Sequence, residues 1–202
     1  MKKLIASAVF ILFCFTQKSY SQQTDYWSAQ YQVGFGSGDL GDYISAPSFR
    51  GALIEYRKAV KDNLLVGFDL GWSVFYDEVD AKTYTSGTET LHGKQYRTQN
   101  EIPLLIAGDY FFSTNNPFRP YVGFGLGVMF TERSTDIGQW RFEENPVNFT
   151  VKPELGFLYE VNSRVSIKVA AKYYYGVKSG DLDGAQAFFA LSTGVAIHLY
   201  FY

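Results

Sequence analysis

The sequence is poor in cysteine and histidine. Its 202 residues include one cysteine, Cys14, and two histidines, His92 and His198. Disulfides therefore cannot hold the chain together, and its stability must come from burial and strand pairing. Charged residues are also few, at 19%, and the formal net charge is −2. This balance provides no basic patch, so we expect no nucleic-acid partner.

Long apolar runs are missing as well. No run reaches the roughly 20 apolar residues that a membrane-spanning helix needs. The run over residues 4–15 follows two lysines, and Ser19 and Ser21 then supply small residues before a cleavage position at Gln22. This arrangement predicts a secretory signal peptide over residues 1–21 and one mature domain over residues 22–202.

Apolar and small or polar residues alternate with a period of two through most of the mature sequence. In one segment, Leu64, Val66 and Phe68 alternate with Gly67 and Asp69. Such alternation, with 18% aromatic residues and 19 glycines, is typical of half-buried β-strands. Eight segments show it, near residues 27–36, 49–58, 64–74, 101–110, 121–130, 150–159, 165–174 and 189–201. We therefore predict an all-β fold, an eight-stranded antiparallel up-and-down transmembrane β-barrel.

The connections between these segments alternate in length. Short turns lie at residues 61–63, 113–118 and 161–163, and long polar connections lie near 37–48, 77–94, 131–147 and 176–186. Short turns on one rim and long loops on the other are typical of outer-membrane barrels. This predicts long loops outside the cell and both chain termini in the periplasm.

The alternation leaves open which face of the strands is buried. A lipocalin is also an eight-stranded barrel, but its apolar face lines a ligand cavity. Here the apolar face carries bulky residues, whereas the opposite face is rich in glycine, serine and alanine. Eight strands enclose room only for side chains, so the small residues belong inside and the bulky ones face lipid. A soluble lipocalin-like binder stays as the less favoured alternative.

Two motifs carry a family resemblance. The segment 119–127, Arg-Pro-Tyr-Val-Gly-Phe-Gly-Leu-Gly, resembles the PYxGxGxG strand of the outer membrane protein beta-barrel domain group, OmpA/OmpX-type barrels common in Bacteroidota. The closing segment 193–199 is similar to the signal that the barrel-assembly machinery reads, although three aromatic residues follow it. The resemblance covers residues 25–202. It implies a monomer in a bacterial outer membrane, in contact with membrane lipid and lipopolysaccharide and inserted by that machinery.

Charged residues fall on the face predicted to point inward. They are Glu55, Asp69, Glu101, Asp109, Lys152, Glu154, Lys168 and Lys172, with Arg57 at the edge of the set. Charges in a narrow, low-dielectric interior must be paired, so we predict a network of ion pairs that plugs the lumen. A proton or ion path through the same groups is the alternative.

The two histidines give no catalytic site. Neither His92, in the second long loop, nor His198, on the last strand, can be placed beside a nucleophile and an orienting carboxylate. We therefore predict no enzyme activity, no catalytic residue and no cofactor.

Two features of the long loops suggest surface contacts. The sequence Ser-Gly-Asp-Leu occurs at 37–40 and again at 179–182, so four loop aspartates are weak candidates for Ca²⁺ or lipopolysaccharide binding: Asp39, Asp42, Asp181 and Asp183. Ordinary turn composition is the favoured explanation for them. Trp140 and Arg141 in the third long loop are candidates for contact with a partner or glycan, or for packing of the loop itself.

The expected role is structural or surface-interactive. The alternative is a conduit of the OmpW-like kind, which passes small apolar molecules sideways into the membrane. That role needs an apolar funnel in the lumen, whereas Asp69, Lys152 and Lys168 indicate a polar one.

Overall fold

The computed structural model describes residues 24–86, 89–114, 116–178, 180 and 184–199. Within them lie nine strands and one short helix. In chain order they are β1 (Asp25–Gly38), α1 (Asp39–Tyr43), β2 (Ser48–Lys61), β3 (Leu64–Ser86), β4 (Glu89–Phe111), β5 (Phe118–Ile137), β6 (Trp140–Glu144), β7 (Val147–Glu160), β8 (Val165–Gly176) and β9 (Gln186–Leu199). No helix among the described residues is both long and apolar enough to cross a membrane. The predicted signal peptide lies outside these residues.

Eight of the strands close into one antiparallel barrel. The sheet order is β4-β3-β2-β1-β9-β8-β7-β5-β6, and β4 also pairs with β5. The first and last strands pair along their whole length, from Asp25 opposite Leu199 to Gly38 opposite Gln186. Among the residues that the structure describes, the short strand β6 pairs with β5 only. This arrangement confirms the predicted eight-stranded closed barrel.

The two faces of the strands follow the predicted alternation. Bulky apolar side chains point outward, including Trp72 at 55% exposed and Ile106 at 65%. Their neighbours Ser73 and Leu105 point inward and are buried. An exposed apolar belt on every side of a barrel is stable against hydrocarbon and costly in water. The fold therefore fits a membrane-spanning barrel rather than a soluble binder with an apolar cavity.

The predicted loops at 77–94 and 131–147 are largely strands. β3 continues to Ser86 and pairs with β4 from Glu89 onward, while β5 continues to Ile137 and turns into β6. The prediction was wrong because these stretches extend beyond the apolar belt, where apolar residues are few and the alternation disappears. Their threonines and tyrosines still favour extended backbone. We call this end of the barrel the hairpin end and the opposite one the terminal end.

The connection at 37–48 is not a loop on the surface. It forms the five-residue helix α1, and both Leu40 and Ile44 are completely buried in the mouth of the barrel at the hairpin end. Gly38, with φ at 58°, provides the left-handed turn that directs the chain from β1 into this helix. The first long connection therefore closes the barrel mouth.

Candidate functional site

The lumen is packed with side chains from end to end. An apolar cluster near the terminal end contains Tyr26, Leu65, Phe111, Tyr121, Leu158, Ala170 and Ala196. A second cluster near the hairpin end contains Leu40, Ile44, Phe75, Leu105, Met129, Tyr174, Phe188 and Ala190. Along β3, Asp69 lies between Leu65 of the first cluster and Phe75 of the second. Charged groups thus occupy the middle of the barrel.

Seven of the eight predicted inward charges meet here, and Arg57 joins them. Lys168 Nζ lies 2.6 Å from Glu55 Oε2 and 3.0 Å from Asp109 Oδ2, and Lys172 Nζ lies 2.8 Å from Glu55 Oε1. All the side chains that form ion pairs inside the lumen are at most 1% exposed. The set contains the acids Glu55, Asp69, Asp109 and Glu154 and the cations Arg57, Lys152, Lys168 and Lys172. We call these eight residues the lumen network, and its formal charge is zero.

Arg57 lies at the centre of the lumen network rather than at its edge. Its guanidinium donates from Nε to Asp109 Oδ2 at 3.0 Å and from Nη1 to Asp69 Oδ1 at 2.5 Å. Its position two residues after Glu55 gives it the same inward parity. Parity along β2 assigned Arg57 to the inward face but did not give its place within the lumen.

Glu101, the eighth predicted charge, lies apart from the lumen network. Its carboxylate accepts hydrogen bonds from Gln99 Nε2 at 2.5 Å and from Thr131 Oγ1 at 2.7 Å. Among the described residues, no lysine or arginine forms a salt bridge with it. Glu101 therefore belongs to a separate hydrogen-bonded group with Gln99 and Thr131, nearer the hairpin end.

The glycines of the PYxGxGxG-like strand leave space for the charged side chains. A Cβ atom on Gly123 would lie 2.5 Å from Cγ of Glu154, and one on Gly125 would lie 3.3 Å from Cε of Lys152. Since real Cβ atoms do not approach closer than about 3 Å, Gly123 can carry no side chain without displacing Glu154. The motif on β5 is thus explained by the packing of the charges behind it.

Carboxylates in the lumen network come close enough to hold a cation. One oxygen from each of Glu55, Asp69 and Glu154 falls within a group 4.8 Å across. Lys152, however, pairs with both Asp69 and Glu154, and Lys168 and Lys172 pair with Glu55. A divalent ion would have to displace these ammonium groups. The donor set therefore functions as an internal salt-bridge network.

His198 contacts two hydroxyl groups near the terminal end. Its Nε2 lies 2.8 Å from Ser166 Oγ and its Nδ1 lies 3.0 Å from Thr24 Oγ1. Sequence reasoning did not place a serine beside this histidine. Ser166 is completely buried, and a hydroxyl stands where a catalytic triad has a carboxylate. His92 lies in β4 opposite Thr83, far along the hairpin.

A polar clasp holds α1 in the barrel mouth. Arg133 Nη2 donates to Asp39 Oδ2 at 2.7 Å, and Gln186 Nε2 donates to the same oxygen at 2.7 Å. Burial raises the pKa of Asp39, but the hydrogen bonds from Gln186 and Arg133 outweigh it and hold this pKa below its ordinary value. Tyr43 packs against the guanidinium of Arg133, whose Cζ atom lies 4.2 Å from the centre of the Tyr43 ring.

The structure describes two of the four loop aspartates, Asp39 and Asp42. The Asp39 carboxylate is already engaged by Arg133 and Gln186, and Asp42 is exposed. Asp181 and Asp183 lie outside the described residues. A Ca²⁺ ion at Asp39 would therefore compete with Arg133.

The extended parts of β3, β4 and β5 form, with β6, a four-stranded sheet beyond the apolar belt. We call it the protruding sheet. Trp140 and Arg141 lie in β6, and all five residues of this strand are exposed. Arg141 donates to both carboxylate oxygens of Asp136, at 2.7 and 3.0 Å. The outer face also carries the ion pair between Lys94 and Glu78.

Solved structures of other proteins have a similar fold. Neisserial surface protein A superposes with a TM-score of 0.55 at 18% identity, covering 87% of this chain and 97% of that one. Ail, the attachment invasion locus protein of Yersinia pestis, superposes with a TM-score of 0.50 at 7% identity over the same shares. The chain has the fold of small outer-membrane β-barrels. No protein-family model and no curated protein sequence matches it.

Proposed function

We propose that this barrel resides in a bacterial outer membrane and acts at the cell surface through its protruding sheet, without conducting solutes and without catalysis. The observation that carries the proposal is the combination of a filled lumen with a polar sheet that rises beyond the apolar belt. In this arrangement the hairpin end faces outside, where it meets lipopolysaccharide, and both chain ends face the periplasm.

The packing of the lumen supports a closed barrel. An ion that crossed it would have to separate the salt bridges of the lumen network and then pass Leu40 and Ile44, which are completely buried in the mouth. Breaking a buried ion pair costs several kcal/mol, because it leaves a charge uncompensated. The same groups disfavour a conduit for small apolar molecules. Such a molecule would meet the four cationic side chains and four carboxylates of the lumen network in the middle of the barrel.

The chemistry of the protruding sheet supports surface contact. Its strands are paired and its charges are locally matched, as in Lys94 with Glu78 and Arg141 with Asp136. A rigid sheet binds with less loss of conformational entropy than a flexible loop. A barrel of the same fold, Ail, has been solved in complex with the heparin analogue sucrose octasulfate.

The proposal is tested by trimming the sheet while keeping the barrel. Residues 79–94 and 134–143 would each be replaced by a two-residue turn, and cells with the full-length or trimmed protein compared for adherence to protein-coated surfaces and for uptake of a small hydrophilic dye. Adherence should fall on trimming, and dye uptake should be the same with either protein or with none. Uptake that depends on the protein would refute the closed barrel, and unchanged adherence would refute the surface role.

A further inference from the structure

The outer edge of β6 has no strand beside it in the part of the chain that the structure describes. β7 continues the line of β6 toward the membrane and pairs with β8. The last hydrogen bond of that ladder runs from Val177 N to Phe149 O at 2.8 Å. Nearer the tip, β6 pairs with β5 alone. The sheet therefore ends at an open edge that starts above Val177.

The register identifies the backbone groups at this edge. Ile137 and Trp140 face each other across the two-residue turn that joins β5 to β6, and Gly138 at its first position has φ at 61°. In such a turn the flanking pair exchanges both hydrogen bonds, so Trp140, Phe142 and Glu144 bond to β5. The N–H and C=O groups of Arg141 and Glu143 must then point away from the sheet.

The side chains of β6 give this edge two different faces. Trp140 and Phe142, 62% and 53% exposed, lie on the face that continues the inside of the barrel, opposite Ile137 and Thr135. Arg141 and Glu143 lie on the other face. Exposed aromatic side chains beside an open strand edge are the features that β-strand addition uses, since the edge bonds to backbone and the side chains give selectivity.

The charge at the edge is acidic. Arg141 is neutralised by its two hydrogen bonds to Asp136, and its Nη1 is a further 3.6 Å from Glu143 Oε1. Glu143 and the exposed Glu144 therefore leave a net negative charge on a strand of five residues. A partner strand that carries lysine or arginine on the Glu143 face is favoured, and an acidic partner is repelled.

We infer that β6 is a docking edge for an extended segment of another protein, in which apolar residues alternate with basic ones. The segment adds a strand to the protruding sheet, bonds to the backbone of Arg141 and Glu143, and packs its apolar side chains on Trp140 and Phe142. This inference rests on the proposed surface function and names the class of its partner.

The test uses the full-length barrel in lipid nanodiscs and a ten-residue peptide of alternating valine and lysine, with binding measured by calorimetry. Glu143→Pro removes the outward N–H of residue 143, which takes no part in the pairing with β5. Glu143→Gln removes the charge and keeps this N–H. We expect Glu143→Pro to weaken binding at least about tenfold, and Glu143→Gln only about threefold with a smaller salt dependence.

Controls separate an altered edge from an unfolded strand. The amide of Phe142, which bonds to β5, must keep its protection from hydrogen exchange in the Glu143→Pro variant. If it does not, Trp140→Ala with Phe142→Ala takes its place, with the same expected loss. A peptide of alternating valine and glutamate should not bind.

Equal binding by the Glu143→Pro and Glu143→Gln variants would overturn strand addition and leave charge attraction alone. Absence of peptide binding to the wild-type barrel would also overturn the inference. If adherence still depends on residues 79–94 and 134–143 in that case, the proposed surface function stands without this partner. If adherence does not depend on those residues either, both the proposed surface function and this inference fail.

Discussion

At the scale of single residues, the lumen network explains how lysines survive inside a narrow barrel. Lys168 contacts Glu55 and Asp109 at once, and Tyr26 places its hydroxyl 3.2 Å from the same Asp109 oxygen. Lys168 thus has two opposite charges close by, and the hydroxyl of Tyr26 supports one of them. The free energy of unfolding depends on this matching, because one unpaired charge in the interior costs more than a whole pair contributes.

Replacing Lys168 by methionine should therefore destabilise the barrel by about 3–5 kcal/mol, since Glu55 and Asp109 lose their shared cation. Equilibrium unfolding by urea in lipid vesicles, followed by tryptophan fluorescence, measures this change. Lys58→Met is the matched control, because Lys58 is exposed on the neighbouring part of β2, and its effect should stay within about 0.5 kcal/mol. Equal stability of the two variants would mean that the network contributes nothing.

The inward residues were predictable from the sequence, but their partners were not. Parity along each strand assigns Asp69, Lys152 and Lys168 to the same interior. It does not tell which acid meets which base, because that depends on the stagger between strands that are distant in sequence. Lys168 and Glu55, for example, are 113 residues apart. Ser166 beside His198 escaped prediction because their contact depends on the register between β8 and β9, which parity does not give.

At the scale of elements, the parts beyond the apolar belt were predicted least well. The alternation of apolar and polar residues reports a strand only where one face is lipid and the other is interior. Along residues 77–94 both faces lack this contrast, so the hairpin looked like a loop. The helix α1 was missed because its five residues are too few for a periodic signal, although Leu40 and Ile44 are four residues apart.

The turn between β5 and β6 depends on Gly138. Its φ of 61° is unfavourable for residues with a Cβ atom, while no atom lies within 4 Å of the position such an atom would take. Gly138→Val should cost about 1–2 kcal/mol through backbone strain alone. The amides of Phe142 and Glu144 should then exchange about 5–30 times faster. Gln139→Val, one residue later, should leave their exchange unchanged, and similar rates in both variants would rule out strain at Gly138.

The clasp on α1 should respond to acid. Because Gln186 and Arg133 hold the pKa of Asp39 below its ordinary value of 3.8, the clasp contributes its full stability above that pH. The contribution is lost as the pH falls below 3.8 and Asp39 takes up a proton. Hydrogen exchange at Leu40 and Ile44, corrected for its intrinsic pH dependence, should therefore accelerate below that pH. Asp39→Asn should remove this change, and a transition that persists in the variant would assign it to another group.

At the scale of the whole molecule, the central feature is the orientation of the barrel wall. Glycines and matched charges fill a closed interior, while tryptophan, leucine and isoleucine side chains form the exterior. The sequence predicted this arrangement because eight strands leave little room inside, so side-chain size alone separates the two faces. It did not predict the filled mouth or the open edge of β6, which follow from the ends of strands rather than from their middle.

The most direct measurement of that orientation is a cysteine scan along β3. Residues 66–72 would each be replaced by cysteine and spin-labelled in vesicles, with Cys14 replaced if it is retained in the purified protein. Collision with oxygen, which concentrates in hydrocarbon, should peak at positions 66, 68, 70 and 72 and fall at 67, 69 and 71. Peaks at 67, 69 and 71, or collision rates without a period of two, would contradict the account.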